Sequence, residues 1–119
     1  MELMKRILVV DDNHEILSVI RIILEMEGYQ VIYQDNAHHV MQAVFEYNPH
    51  LILLDVMIGD MDGREVCKTL KTTPATSHIP VVLISASQHI DPVQCMANDF
   101  IPKPFDIEVL TEKVNRQVA

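Results

Sequence analysis

The sequence predicts an α/β domain: a three-layer sandwich with a five-stranded parallel sheet, strand order 2-1-3-4-5, between five helices. Three observations carry this. Ile7–Val10, Leu51–Leu54 and Val81–Ile84 are aliphatic throughout, as strands are when helices cover both faces. Stretches of helical periodicity alternate with these runs, the order of parallel βαβ units. Each run ends in polar side chains: Asp11-Asp12, Asp55 and Ser85.

In chain order, Ile7–Val10 is the first strand, and Asp12 or Asn13 is placed to cap the helix after it. That helix spans roughly Glu15–Glu27, with Ile16, Ile20, Ile23 and Leu24 on one stripe and Gly28 to end it. Tyr29–Tyr33 alternates weakly and reads as a more exposed second strand. A second helix near Ala37–Tyr47 stops before Asn48-Pro49. The Leu51–Leu54 strand runs into the loop DVMIGDMDG. A short third helix near Gly63–Lys71 follows, then a polar loop, Thr72–His78. Pro80 opens the fourth strand, Val81–Ile84. Asp91-Pro92 has the form of a cap and first-turn proline, and the helix it begins has room only to about Ala97. Phe100-Ile101 is a short fifth strand, and Asp106 caps a last helix with Ile107, Leu110 and Val114 on its inner stripe. Right-handed crossovers leave few topologies. The flavodoxin-like order 2-1-3-4-5 fits best, because it puts the three aliphatic strands at the centre.

With 119 residues, 49% hydrophobic and 22% charged, one globular domain spanning 1–119 is expected. A net charge of −8 argues against a general nucleic-acid surface. No run approaches a membrane span and no signal peptide is visible, so a cytoplasmic location is expected. Cys67 and Cys95 lack metal-site or redox-motif spacing and read as small core residues of a reducing compartment.

In a parallel sheet all carboxyl ends share one edge. Asp11, Asp12, Asp55, Ser85 and Lys103 therefore gather where such sheets bind ligands. Two carboxylates about 5 Å apart repel by roughly 3 kcal/mol at an effective dielectric near 20. Three such pairs ask for a protonated acid or a cation, and a hard divalent ion such as Mg²⁺ suits oxygen ligands and phosphate chemistry. An ionised Asp55 is already a nucleophile. A transferring phosphoryl group spreads charge over three oxygens. The metal, the Lys103 ammonium and the Ser85 hydroxyl offer one partner to each.

The stretches ILVVDDN, LILLDVMIGDMDG, HIPVVLISA and DFIPKPF, in this order, resemble the receiver domains of two-component response regulators over nearly the whole chain. The resemblance implies a CheY-like fold, Asp55 as phosphoacceptor, and Mg²⁺ held by Asp11, Asp12, Asp55 and the Met57 backbone carbonyl. It implies Ser85 as switch hydroxyl, Lys103 as phosphate-binding lysine, Phe100 as the switch aromatic, and a cis Lys103-Pro104 bond. The partners implied are a sensor histidine kinase or histidine phosphotransfer domain, a downstream protein or fused effector domain, and a second copy on phosphorylation, with no direct nucleic-acid or membrane binding. The activity implied is that of a signalling phosphoacceptor rather than an enzyme, assisting only its own phosphorylation and dephosphorylation.

Three departures qualify this. Gly59 stands for the usual loop proline, which predicts a more mobile loop. Met96-Ala97 stands for the usual Gly-Ala. Fifteen positions separate Ser85 from Phe100, about one helical turn fewer than the family leads one to expect, so the fourth helix is short, near Pro92–Ala97. The face formed by helix four, strand five and helix five, the family's output surface, is then altered. Phe100 also lacks the tyrosine hydroxyl.

The runner-up reading is a receiver-like interaction module that is not phosphorylated. A Mg²⁺-dependent phosphatase would want a second carboxylate where Met57 stands, and no GxGxxG supports a dinucleotide site. Asp60 and Asp62 read as loop and cap residues. His38, His39, His50, His78 and His89 read as solvated, and His14 as lining the rim of the acidic turn. Met26, Met41 and Met96 read as packing or exposed helix residues.

Overall fold

The computed structural model describes residues 4–87 and 91–119; His89 falls outside them. In chain order the elements are β1 (Arg6–Val10), α1 (His14–Met26), β2 (Gln30–Gln34), α2 (Val40–Tyr47, led in by a 3-10 turn over Ala37–His39), β3 (Leu51–Asp55), β4 (Met57–Ile58), β5 (Met61–Asp62), α3 (Gly63–Thr72), β6 (Val81–Ser85), β7 (Asp99–Pro102) and α4 (Ile107–Val118). The sheet is parallel throughout in the order β2-β1-β3-β6-β7. That is the expected 2-1-3-4-5 once the small antiparallel hairpin β4–β5, which the sequence reading does not foresee, is set aside.

The aliphatic strands serve two cores because successive side chains leave opposite faces of the sheet. Leu8, Val10, Ile52, Leu54, Val81 and Leu83 meet Val40, Val44 and Leu70 of α2 and α3. Ile7, Val9, Leu51, Leu53, Val82 and Ile84 meet Ile20, Leu24, Leu110 and Val114 of α1 and α4. Each such side chain, fully buried, contributes roughly 1.5–3 kcal/mol, so the sheet's position is strongly determined.

Helix ends follow local chemistry. Asn13, rather than Asp12, caps α1 through bonds from the Glu15 and Ile16 N–H groups. At the other end the Tyr29 N–H reaches Leu24 O and Gly28 N–H reaches Glu25 O, a Schellman turn. Asp62 caps α3 and Asp106 caps α4.

The expected fourth helix is absent, which leaves four α-helices among the described residues. Residues 91–97 form turns: Asp91 Oδ1 accepts the Val93 N–H at 3.0 Å, and the Gln94, Met96 and Ala97 N–H groups bond Asp91, Val93 and Pro92 carbonyls. The cap chemistry is present, but the chain has no length to propagate it. One and a half turns give too few bonds to offset helix nucleation. The exit is also fixed, since Asn98 Oδ1 accepts both the Val81 N–H at 2.9 Å and Lys71 Nζ at 3.1 Å. Met96 absorbs the misfit with a left-handed φ of 64°.

Candidate functional site: an acid–lysine edge

The register of β1 and β3 pairs Val10 with Leu54, so Asp11 and Asp55 leave neighbouring strands at the same edge. Asp11 and Asp55 are buried and Asp12 is exposed, yet one oxygen from each lies within 4.8 Å of the others. Asp11 Oδ1 accepts the Asn13 N–H at 2.9 Å. Asp55 Oδ1 accepts the Met57 N–H at 3.2 Å. The other oxygens of these two acids share one donor: Lys103 Nζ lies 3.0 Å from Asp11 Oδ2 and 2.9 Å from Asp55 Oδ2. Lys103 leaves the end of β7 beside a cis Lys103-Pro104 bond, as the resemblance implies, and its N–H donates to Ser85 O at 2.7 Å.

The loop after Asp55 is shaped around the acids. Gly63 N–H donates to Val56 O at 2.7 Å. In an antiparallel ladder bonded and non-bonded pairs alternate, so Met57 faces Asp62 in a non-bonded pair. Its N–H, and the carbonyl that leaves the strand on the same side, point away from the hairpin partner, and the N–H reaches Asp55. Gly59 turns the hairpin at a φ of 59° and donates its N–H to Asp12 Oδ2 at 2.9 Å. A proline could supply neither that φ nor that donor. Where the sequence reading expects a loosened loop, the structure gives Gly59 a hydrogen bond to an acid of the site. Gly63 is a close-approach position: a Cβ there would sit 2.0 Å from Asp55 O.

The electrostatics refine the charge argument. At a dielectric near 20, two Lys103 contacts of about 3 Å attract by about 5 kcal/mol each, which roughly matches the three carboxylate repulsions. Lys103 thus offsets most of the repulsion among the acids. Net charge and desolvation remain: three acids and one ammonium leave two negative charges at an edge where Asp11 and Asp55 are buried. Burial pushes the Asp55 carboxyl up from its usual range, with Asp11 repulsion adding to it and Lys103 and the Met57 N–H opposing. Burial works against the Lys103 charge, but its bonds to Asp55 and Asp11 outweigh that and hold its pKa raised. A net of minus two among hard oxygen donors is the donor set a divalent cation fits.

Ser85, buried at the end of β6, accepts the Ser87 N–H at 3.0 Å, which leaves its own proton to donate. Phe100 lies further from the edge, paired with Leu83 and half-buried against the core cluster that contains Cys67 and Leu70. Its carbonyl accepts from Lys113 Nζ, which also bonds Asp99. His14 pairs with Asp35 at 2.9 Å, and both are exposed. His38, His39 and His78 are exposed, whereas His50 is partly buried and accepts the Arg6 N–H on Nδ1 at 3.0 Å. Burial and the nearby Arg6 and Lys5 charges hold its pKa down. Gly63 escaped the sequence reading as more than a helix start; the glycine at the first position after a cap aspartate was its only signal.

A parallel α/β sheet with three acids and a lysine at its carboxyl edge defines a phosphoryl-accepting class of domain, and comparison bears this out. The model of the response regulator receiver domain family matches residues 7–115, and the chain belongs to that family. It is 36% identical over 115 residues to the DNA-binding dual master transcriptional regulator RpaA of Synechocystis, covering 93% of this chain and 48% of that protein. It is 39% identical over 113 residues to the response regulator PleD of Caulobacter vibrioides, covering 92% of this chain and 25% of PleD. The chain thus spans half or less of the length of these relatives. Among solved structures, the signal receiver domain of a signal transduction histidine kinase from Syntrophus aciditrophicus superposes with a TM-score of 0.86 at 33% identity, covering 96% and 89% of the two chains. A putative response regulator from Chloroflexus aurantiacus shares the fold at a TM-score of 0.89 and 23% identity, covering 98% of each chain.

Proposed function

We propose that Asp55 is the phosphoacceptor of this receiver domain, taking a phosphoryl group from the phosphohistidine of a sensor histidine kinase or histidine phosphotransfer domain. The observation that carries this is the shared lysine: one ammonium bonds both Asp11 and Asp55, and the second Asp55 oxygen accepts the Met57 N–H of the loop that follows β3. Mg²⁺ would be held by Asp11, Asp12, Asp55 and the Met57 carbonyl, where it supplies charge neutralisation and alignment for phosphoryl transfer.

The chain's own groups supply the rest. An Asp55 oxygen attacks phosphorus as the bond to the donor nitrogen breaks, and the leaving imidazole takes a proton from solvent. Lys103 stays with the developing charge on one equatorial oxygen and Ser85 donates its proton to another. The acyl phosphate carries roughly −1.5 to −2 charges where the carboxylate carried one. Because the Lys103 N–H is bonded to Ser85 O, movement of either residue toward the phosphate draws on both strand ends. Phe100, between them in sequence, is then biased with the β6–β7 connection.

Output through β7, α4 and the 91–97 turns, to a downstream protein, a fused effector domain or a second copy, belongs to this proposal. So do a single-domain extent over residues 1–119, a cytoplasmic location and the absence of enzymatic turnover on other substrates. Among the described residues, no helix is long and apolar enough to cross a membrane. The test is Asp55→Asn: incubated with a radiolabelled phosphodonor and Mg²⁺, it should take up no label while the unaltered chain does. Labelling of the variant at the same rate would overturn the assignment.

A further inference from the structure

The two cysteines of the chain take no part in the acid–lysine edge, yet the fold brings them together. Cys67 is fully buried on α3, and its Sγ donates to the Cys95 backbone carbonyl at 3.3 Å. Cys95 is also buried, with its Sγ against Asp91 O at 3.5 Å. Between them they join α3 to the 91–97 turns with the left-handed Met96. We infer that Cys67 and Cys95 form a redox clasp, in which a hydroperoxide closes an intramolecular disulfide that ties residues 91–97 to α3.

The chemistry balances. With the turns displaced, the Cys95 thiolate attacks hydrogen peroxide, the O–O bond breaks, the leaving hydroxide takes a proton from solvent, and a sulfenic acid and water form. The Cys67 sulfur then attacks Cys95 Sγ, the S–O bond breaks and a second water leaves. Two thiols lose two protons and two electrons, and one hydroperoxide is reduced.

Burial sets when this happens. It pushes the Cys67 thiol up to about 12, and Cys95 in the same direction, so the pair is unreactive while the turns are closed. A disulfide requires Cα atoms within about 4.4–6.8 Å of each other. Rotation of the Cys95 side chain away from Asp91 O carries its Sγ toward Cys67, whose own Sγ already reaches the Cys95 carbonyl. The turns can shift because they carry no helical ladder. Only the consequence of the bond rests on the proposed function: a connection that leads from Ser85 to Phe100 would be held in one arrangement. The bond itself does not depend on Asp55.

The test treats the reduced full chain with hydrogen peroxide and follows intact mass and non-reducing peptide maps. The expected product is a monomer lighter by two hydrogens, with the Cys67 and Cys95 peptides linked, reversed by dithiothreitol and absent from Cys67→Ser and Cys95→Ser. The linked form should also melt at a higher temperature than the reduced form. Sulfinic acid at either residue, chain-to-chain disulfides, or intact thiols under conditions that fully oxidise a cysteine peptide would each overturn the clasp.

Discussion

Two connections in this molecule begin with the same sequence device and end differently. After β3, Asp62 precedes Gly63 and caps a ten-residue helix. After β6, Asp91 precedes Pro92, bonds the Val93 N–H just as a cap would, and no helix follows. The cap at α3 is backed by Val66, Cys67 and Leu70 in the core; residues 91–97 place only Cys95 fully there. A cap marks where a helix starts, but tertiary burial decides whether it grows.

The comparison can be broken first at Gly63. Gly63→Ala puts a methyl carbon against Asp55 O, and the helix start or the acceptor backbone must move. Denaturant unfolding should show a loss of about 3 kcal/mol or more, at the upper end of overpacking effects, together with impaired phosphoryl uptake. Unchanged stability would mean that α3 is not locked to Asp55 as described.

Lys103→Ala comes next, because it leaves Asp11 and Asp55 buried without their counter-charge. A loss of about 3 kcal/mol is expected at neutral pH without Mg²⁺. The sign with pH follows from Asp55, whose folded pKa is raised. Its protonated form is favoured in the fold, so its relative contribution is best below the unfolded carboxylate pKa and is lost as pH rises through the folded one. Stability curves against pH, recorded in chelator, should therefore show Asp55→Asn gaining on the unaltered chain as pH rises through that window. A variant gaining instead toward acid would contradict the burial argument.

A smaller effect is expected in the turns. Met96 holds a left-handed φ that costs about 1 kcal/mol outside glycine. Met96→Gly should raise the thermal midpoint, offset in part by the entropy glycine loses on folding. The smallest effect sharpens the comparison itself. Asp62→Ala should cost about 1 kcal/mol in urea titration, the usual value of a helix cap, whereas Asp91→Ala should cost less than about half of that. Equal losses would imply that 91–97 behaves as a helix.

The sequence carried the sheet because Ile7–Val10, Leu51–Leu54 and Val81–Ile84 have no polar face to misread, and it carried the edge because strand ends in a parallel sheet must coincide. It did not carry Lys103 as a bridge between Asp11 and Asp55, since reach across the edge depends on side-chain distances that spacing does not encode. Nor did it carry the hairpin β4–β5, whose two-residue strands are too short for any periodicity. Pro92–Ala97 reads as helical because cap residues are local signals, whereas Asn98 fixes the exit through bonds to Val81 and Lys71 that are remote in sequence. Met96 at a position where the family has glycine was visible, and its left-handed conformation is the physical content of that departure.

The most direct test of the account is site mapping by mass spectrometry after incubation with acetyl phosphate, with Mg²⁺ and with chelator. The account predicts one alkali-labile phosphoryl adduct, on Asp55, formed with Mg²⁺ and lost in chelator. An adduct on Asp11, Asp12 or Ser85 instead, or equal labelling of Asp55 in chelator, would contradict the reading of this edge as a metal-assisted phosphoacceptor.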